Sequence, residues 1–153
     1  MKGSDVMQEF GPRVGVAIFV VREDGKFIFQ KRQGSHGSGS WSTPGGHVEF
    51  GEDPMETCRR ETLEETGCSV YDISFVTMTN DFFPDDNKHY VTLWYVGRWD
   101  GNEPRILEPE KCTEQRWVAP DDLPRPTFLA YDNLTSEQRH FISKAIAEKA
   151  KKQ

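Results

Sequence analysis

The sequence has few cysteines, and they are poorly arranged for cross-linking. Three occur in 153 residues, an odd number, and no two of them stand in C-x-x-C spacing. This pattern disfavours both a disulfide framework and a zinc site. The sequence also lacks any apolar run near the roughly 20 residues of a membrane span, and its start, MKGSDVMQEF, does not resemble a signal peptide. We therefore expect a cytoplasmic protein with no membrane association.

Basic residues are also fewer than acidic ones. Lys and Arg total 19 against 25 Asp and Glu, which gives a net charge of −6. An acidic protein is poorly suited to bind the backbone of a nucleic acid. It can still bind a polyphosphate if a metal ion supplies the positive charge. The expected partner is therefore a small molecule, and no nucleic acid is expected.

Length and composition indicate one folded domain. Hydrophobic residues make up 35% of the chain and charged residues 29%, as is typical of a globular chain. A length of 153 residues is enough for one proper core. We expect residues 12–153 to form a single domain and residues 1–11 to be a mobile polar segment.

Runs of β-branched and aromatic residues predict strands. Five segments have this character: residues 14–22, 27–31, 70–80, 89–99 and 114–118. Residues 81–88, DFFPDDNK, are expected to form a loop between two long strands. The Gly- and Ser-rich residues 33–40 form another loop, which is either a plain connector or a flap beside a substrate.

A helix is predicted at the C-terminal end of the chain. Thr135 and Gln138 form the T-x-x-Q pattern of a capping box. Apolar residues at helical spacing then predict its buried stripe, which consists of Phe141, Ile142, Ala145 and Ile146. Strands, a central helix, more strands and a final helix together predict an α/β fold with a mixed sheet between helices.

The central helix lies in the most unusual stretch of the sequence, residues 46–68, GHVEFGEDPMETCRRETLEETGC. Seven acidic residues occur in these 23 positions. Glu61, Glu64 and Glu65 are spaced i, i+3 and i+4, so a helix places them on one face. Three carboxylates on one face repel each other, and a hard divalent cation with oxygen ligands is the natural compensation.

This helix has recognisable ends but little to bury. Asp53 is a good N-cap before Pro54, and Gly67 suits a left-handed C-terminal stop. Its core stripe is thin, since it consists of Met55, Cys58 and Thr62, with Leu63 off to the side. Burial alone does not account for so polar a helix. The glycine turns before it, at 45–46 and 51–52, indicate that backbone approaches something closely.

These residues resemble the Nudix box, G-x(5)-E-x(7)-R-E-U-x-E-E-x-G-U, in which U is usually a bulky aliphatic residue. Seven fixed positions match in register: Gly46, Glu52, Arg60, Glu61, Glu64, Glu65 and Gly67. Thr62 and Cys68 depart from the aliphatic pattern, which affects packing more than chemistry. PGGHVEFGE, HYVTLWY and EPEKC also resemble the MutT-like, nucleotide-sanitising branch of the family. The similarity covers roughly residues 12–133.

The resemblance implies a Nudix-type α/β/α sandwich and a pyrophosphohydrolase that uses Mg²⁺ or Mn²⁺. It implies that Glu61, Glu64, Glu65 and the carbonyl of Gly45 bind the metal. Arg60 is then an orienting partner of a box glutamate and Glu52 orients the loop or that arginine. The general base is a box glutamate or an acid from a later loop, for which Glu110 is the candidate. The alternative for Glu110 is a solvated loop charge.

Substrate contacts are expected from residues around and beyond the box. The family often has a basic residue near Arg32 that contacts phosphate, and a guanidinium can bind phosphate through two nitrogens. Gly46 and His47 follow the glycine turn, where a structural histidine is an equal alternative. A slot for a base is expected from several dispersed residues: Phe82, Phe83, Thr92 and the segment 128–131, in which Phe128 and Leu129 are the main candidates.

The resulting functional prediction is hydrolysis of a pyrophosphate bond in nucleoside di- or triphosphates, including oxidised purine forms. The products are a nucleoside monophosphate and phosphate or pyrophosphate. One alternative is hydrolysis of another X-linked diphosphate, such as a prenyl diphosphate or a nucleotide sugar. A second is a binding module that has lost its chemistry, although the intact acids disfavour it. A homodimer is possible, since many family members dimerise.

Overall fold

A computed structural model describes residues 11–34 and 36–151. The prediction of a mobile segment at 1–11 therefore falls, apart from Gly11, outside the described residues. Seven strands are present: β1 (Arg13–Val21), β2 (Phe27–Arg32), β3 (Trp41–Ser42), β4 (Gly45–His47), β5 (Val70–Phe83), β6 (Lys88–Trp99) and β7 (Cys112–Val118). Three helices accompany them: α1 (Pro54–Thr66), α2 (Leu129–Asp132) and α3 (Ser136–Lys151).

The strands form one mixed sheet. Its main path is β3-β2-β1-β6-β5, while β4 pairs with β1 and β7 pairs with β2. β1 and β6 run parallel over residues 13–21 and 90–98, and the other pairs are antiparallel. The two central strands are apolar for most of their length, as expected for strands covered on both faces.

Each face of the sheet carries its own core, because side chains alternate along a strand. On one face Phe19, Phe27 and Trp94 pack with Ile142 and Ile146 of α3. On the other face Ile18 and Val20 pack with Cys58 of α1. A helix therefore covers each face, and the predicted α/β/α sandwich is confirmed.

The ends of α1 agree with the sequence. The Asp53 side chain accepts a hydrogen bond from the Met55 backbone at 2.8 Å, and Gly67 has φ of 76° at the C-terminal end. Cys58 and Thr62 are fully buried. Two fully buried threonines, Thr57 and Thr66, belong to the same stripe, which makes this helix–sheet contact unusually rich in hydroxyl groups.

Two expectations need correction. Phe141 of α3 is 49% exposed, and the buried positions are Ile142, Ile146 and Lys149. Phe141 is adjacent to Ile142 and so lies about 100° away around the helix, off the buried face. The loop at 81–88 is also shorter than expected, because β5 continues to Phe83 before a 3-10 turn at Pro84–Asp86.

The start of α3 follows the predicted capping box. The Gln138 backbone donates to Thr135 Oγ1 at 3.1 Å, and the Thr135 backbone donates to Gln138 Oε1 at 2.9 Å. Among the helices of the described segments, none is long and apolar enough to cross a membrane. All three cysteines are buried and unpaired with one another.

Candidate active site

The cavity lies where the sheet divides. β1 and β2 pair at Val21 and Phe27, and beyond that point β1 pairs with β4 while β2 pairs with β3 and β7. The separation leaves a cavity of about 480 Å³. One end of it reaches the glycine turn and α1, and the other end is surrounded by aromatic residues.

Glycines bring backbone into direct contact with a carboxylate at the α1 end. A Cβ on Gly46 would overlap the carboxylate of Glu61, and a Cβ on Gly45 would overlap the backbone carbonyl of Val16. Neither position tolerates a side chain without movement of the neighbouring atoms. The close approach expected from the glycine pair is therefore present, and it is made to β1 and to Glu61.

Arg60 connects the acidic residues of this end. Its guanidinium donates to both carboxylate oxygens of Glu52 at 2.8 and 3.0 Å, to Glu61 at 2.7 Å and to Glu64 at 3.4 Å. It also donates to the backbone carbonyl of His47 at 3.1 Å. Hydrogen bonds from Arg60 and then Thr57 lower the pKa of Glu52 to about 2, and Glu52 in turn raises the pKa of Arg60. The arginine thus ties the glycine turn to the helix.

Glu61 and Glu65 form the inner carboxyl pair of the cavity. Burial raises the pKa of Glu65 well above its ordinary value, and a hydrogen bond to Glu61 adds to the effect. The backbone N–H of Gly45 opposes this by donating to Glu65. Glu64 differs from both because its side chain is 47% exposed, against 15% for Glu61, and it lies at the solvent edge of the site.

The opposite end of the cavity is aromatic. Phe83 and Phe128 stack with ring centroids 5.3 Å apart, and the His36 ring meets each of them edge-on. The Arg32 guanidinium lies over Phe128, 3.9 Å from the ring centroid, and its Nε donates to the backbone carbonyl of His36 at 3.2 Å. Burial lowers the pKa of Arg32 from its ordinary value.

The loop at residues 33–40 closes over this aromatic end. The His36 ring is 2.6 Å from the Asp86 carboxylate, which lies on the 3-10 turn. A Cβ on Gly37 would approach the Phe128 ring at 2.5 to 2.7 Å, and its φ of 69° also favours glycine. Of the two interpretations of this loop, the packing favours a flap beside the cavity over a plain connector.

Most of the residues expected in the site line this one cavity. They are Arg32, Gly45, Gly46, His47, Glu61, Glu65, Thr92 and Phe128. His47 lies at its edge and stacks on Tyr90, whose hydroxyl is 3.1 Å from Nε2. Arg60 and Glu64 are outside the lining and act on it only through the contacts described above.

Two of the residues expected in the substrate slot, Phe82 and Leu129, do not line the cavity. Phe82 is 58% exposed on the outer face of β5, while its neighbour Phe83 lines the cavity. A shift of one residue along a strand turns a side chain to the opposite face. Leu129 is exposed as well, and Ala130, one residue later in α2, lines the cavity instead.

The later acid is also corrected. Glu110 is exposed and does not line the cavity, whereas Glu108 does. The Glu108 carbonyl accepts from the backbones of Lys111 and Cys112 at 2.9 and 3.1 Å, and the resulting turn directs Glu110 outward. The negative charge of Glu108 also contributes to the raised pKa of Glu65.

Sequence reasoning overlooked Tyr90, Trp94 and Glu108 as lining residues. A signal for the first two was present, because Tyr90 and Trp94 stand two residues on either side of Thr92 and so share its face of β6. No comparable signal separates Glu108 from Glu110, since both are acids in the same loop.

Comparison with known proteins gives consistent similarities. The family model described as the NUDIX domain matches residues 11–144. The 8-oxo-dGTP diphosphatase of Escherichia coli (strain K12) is 31% identical over 93 residues, which are 58% of this chain and 70% of that protein. A crystal structure of a MutT NUDIX hydrolase from Burkholderia pseudomallei superposes with a TM-score of 0.73 at 31% identity, over 82% of this chain and 99% of that one.

A longer relative matches over more of the chain. The NAD-capped RNA hydrolase NudC of Salmonella heidelberg (strain SL476) is 28% identical over 123 residues, or 79% of this chain. Those residues are 45% of that protein, so the chain spans less than half of its length.

Proposed function

The chain belongs to the NUDIX family and is a NUDIX hydrolase, and from that premise we propose that it hydrolyses a pyrophosphate bond in nucleoside di- or triphosphates with Mg²⁺ or Mn²⁺. The products are a nucleoside monophosphate and phosphate or pyrophosphate. Oxidised purine forms belong to the proposed substrate class, because a relative at 31% identity is named for 8-oxo-dGTP.

The observation that carries the proposal is the polarity of the cavity. Its α1 end holds Glu61 and Glu65 beside a glycine turn, and its other end holds stacked Phe83 and Phe128. A nucleotide has the same polarity, with phosphates at one end and a flat aromatic base at the other. Aromatic side chains stack on every base, so the slot supports nucleotides as a class without selecting one base.

The donors at the α1 end suit a hard divalent cation. Within residues 11–34 and 36–151, no three His, Cys, Asp or Glu side chains converge closely enough to hold a metal ion by themselves. Glu61 and Glu65 instead lie beside each other, and burial first and Glu61 second raise the pKa of Glu65, so a bound cation would relieve an unfavourable pair of carboxylates. Mg²⁺ is commonly held by one or two carboxylates, waters and substrate phosphates, and a two-carboxyl site fits that pattern.

We assign the metal to Glu61, Glu65 and the Gly45 carbonyl, with Glu64 at the solvent edge. When bound, the cation neutralises phosphate oxygens and lowers the pKa of the attacking water. Arg60 orients Glu61 and Glu64 through the hydrogen bonds of one guanidinium nitrogen. Arg32, for which a phosphate contact was expected, lies over Phe128 at the aromatic end of the cavity, so we assign it to the base side of the ligand.

The chain also supplies the proton acceptor. The water oxygen forms a bond to phosphorus, the anhydride P–O bond breaks, and a carboxylate takes the proton of the water. Glu61 and Glu64 are the proposed acceptors within the box. Glu108 replaces Glu110 as the acid from a later loop, because Glu108 lines the cavity.

A panel of diphosphate compounds tests the proposal. Purified protein is incubated with nucleoside di- and triphosphates, prenyl diphosphates and nucleotide sugars, with and without chelator, and phosphate and pyrophosphate are measured. We expect turnover of nucleotides with Mg²⁺, none in excess chelator, and recovery when Mg²⁺ or Mn²⁺ is restored. Preference for a prenyl diphosphate or a nucleotide sugar overturns the substrate class, and full activity in excess chelator overturns the metal.

The same panel addresses a second class of function. If no compound is turned over with metal present but nucleotides still raise the melting temperature, the protein is a binding module. Homodimer formation and a cytoplasmic location stay predictions, and the first is checked by the molar mass of the protein in solution.

A further inference from the structure

A buried carboxylate lies beneath the cavity, beside Thr92. Asp81 on β5 is fully buried and accepts three hydrogen bonds. Its Oδ2 receives the hydroxyls of Thr79 at 2.9 Å and Thr92 at 2.6 Å, and its Oδ1 receives the Asn133 amide at 2.8 Å. Nothing in the chemistry assigned to Glu61 and Glu65 uses this group.

The directions of these hydrogen bonds follow from the donors. The Trp94 indole can only donate, and it donates to Thr79 Oγ1 at 2.9 Å. The Thr79 hydroxyl hydrogen is then directed to Asp81, which accepts the Thr92 hydroxyl at the same oxygen. The hydroxyl hydrogen of Thr92 is therefore engaged behind the cavity wall, and the indole N–H of Trp94 is engaged as well.

From this arrangement we infer that Asp81 is a positioning residue that presents Thr92 to the cavity as a hydrogen-bond acceptor, which selects bases with an amino group at that contact. Thr92 lines the cavity, and because its hydroxyl hydrogen is directed to Asp81, a ligand that reaches the Thr92 hydroxyl meets an acceptor. An amino group can donate to it, whereas a carbonyl oxygen in place of the amino group meets another acceptor. The inference rests on the proposed function, since it requires that the ligand is a nucleotide.

The position of Thr92 fits a contact with a base. Thr92 on β6 pairs with Gly15 on β1, and Gly15 pairs with His47 on β4. Neighbouring strands lie about 4.8 Å apart, so Thr92 is roughly 10 Å from the glycine turn. That span accommodates a sugar between phosphates at the turn and a base at Thr92. Tyr90 and Trp94 share this face of β6 and also line the cavity.

Asp81 also fixes the wall opposite the sheet. Asn133 directly follows α2, and its hydrogen bond to Asp81 fastens that segment to β5. The same segment brings Phe128 and Ala130 to the cavity. Asp81 thus determines both the hydrogen-bonding role of Thr92 and the position of the segment that carries Phe128.

The test compares triphosphates that differ at one amino group. The pairs are dCTP and dUTP, dGTP and dITP, and dATP and its analogue without the 6-amino group. For the parent we expect kcat/KM to favour the amino member of at least one pair by roughly tenfold, the effect of one buried hydrogen bond. The difference should appear in KM rather than in kcat.

Three variants assign this preference to the network. Thr92→Val removes the acceptor, and Asp81→Ala removes the group that holds the Thr92 hydroxyl hydrogen, so both should bring the ratio near unity. Thr92→Ser keeps a hydroxyl and should keep the preference. Thr113→Val on β7 is the matched control, since Thr113 is exposed and does not line the cavity. If Asp81→Ala does not fold, the valine and serine variants at Thr92 still decide the role of the acceptor.

The outcomes distinguish a failure of this inference from a failure of the proposed function. Turnover of nucleotides with no preference within any pair, or a preference that survives Thr92→Val or a folded Asp81→Ala, overturns this inference and leaves the proposed function standing. If the parent turns over none of these nucleotides, the proposed function fails and the inference fails with it.

Discussion

Acidic side chains lie both at the α1 end of the cavity and beneath the cavity, but the protein compensates their charges differently. Asp81 receives two hydroxyls and an amide from its own chain. Glu61 and Glu65 lie against each other, and burial together with their hydrogen bond raises the pKa of Glu65. A carboxylate that is fully satisfied from within is part of the framework. In the carboxyl pair, Arg60 contacts Glu61 at 2.7 Å, and the buried Glu65 beside it is the group that a cation from outside would compensate.

This difference predicts opposite responses to mutation. Removing the Asp81 carboxylate leaves buried donors without a partner, which is costly for folding. Neutralising Glu61 removes its repulsion from Glu65 and weakens its ion pair with Arg60; since the amide oxygen of Gln can still accept from Arg60, the net cost to folding should be small. Function should respond in the reverse sense, because the α1 end carries the proposed chemistry.

The largest effect is expected from Glu61→Gln. The amide keeps the shape of the side chain but loses the negative charge, so turnover should fall by about a hundredfold or more. The stability of the metal-free protein should stay within roughly 0.5 kcal/mol of the parent or rise slightly, since like-charge repulsion is relieved. Kinetics and urea unfolding measure the two quantities.

Glu56→Gln on the outer side of the same helix is the matched control for this variant, because Glu56 is exposed and pairs with Arg59. A heavy loss of stability in Glu61→Gln with normal turnover would make Glu61 a structural acid. The same measurements on Glu64→Gln show whether an acid at the solvent edge contributes to turnover as the family resemblance implies.

The next effect is stabilisation by metal. Ligand binding at a concentration of 100 Kd stabilises a protein by about 2.7 kcal/mol, so saturating Mg²⁺ should raise the melting temperature of the parent. Glu61→Gln should show a smaller rise. Thr113→Val should respond like the parent. An equal rise in Glu61→Gln and the parent would place the cation elsewhere.

Asp81→Ala should change the stability of the protein by as much as bound Mg²⁺ does, or by less. It leaves the Thr92, Thr79 and Asn133 donors without their acceptor, and we expect a loss of about 1–3 kcal/mol in the free energy of unfolding. Urea denaturation measures it, with the exposed Asp121→Ala as control. A loss no larger than that of the control would mean that the network does not hold the wall to the sheet.

The smallest effect concerns Glu52, whose pKa is lowered to about 2 from an ordinary 4.5. A carboxyl with a lowered pKa contributes stability that is complete above its ordinary pKa and is lost as the pH falls through the folded value. The melting temperature of the parent should therefore fall between pH 4.5 and 2, and Glu52→Gln should fall less steeply. Parallel curves would show that Arg60 does not hold Glu52 as its contacts indicate.

The relative positions of the site residues could be predicted from the sequence where residue spacing alone determines them. Glu61 and Glu65 stand i, i+4 on a helix with clear ends, and the glycine pair marks the approach of backbone. Spacing does not predict the geometry where a shift of one residue along the chain turns a side chain away from the cavity. Of the two phenylalanines expected in the slot, only Phe83 lines the cavity, because β5 continues to Phe83 and its side chains alternate between the two faces. Glu108 takes the place expected for Glu110 because of one turn.

Asp81 shows a different limit. In DFFPDDNK it looks like one more acid in a polar loop, and nothing local indicates burial. Its burial depends on Asn133, which is far away in sequence and reaches it only after α2 folds back onto the sheet. A buried polar group is identified by its partners, and these partners exist only in the tertiary structure.

The parallel pairing of β1 with β6 also has consequences for how the protein reaches this structure. Residues 13–21 pair with residues 90–98, so the centre of the sheet joins segments that are distant along the chain. Such contacts carry a large loop-closure cost and slow the folding of a domain. During synthesis β1, which has apolar residues on both faces, lacks this pairing partner until β6 has been made. An apolar strand that lacks its partner is prone to aggregation, so the sheet becomes safe from aggregation only when the second half of the chain is present.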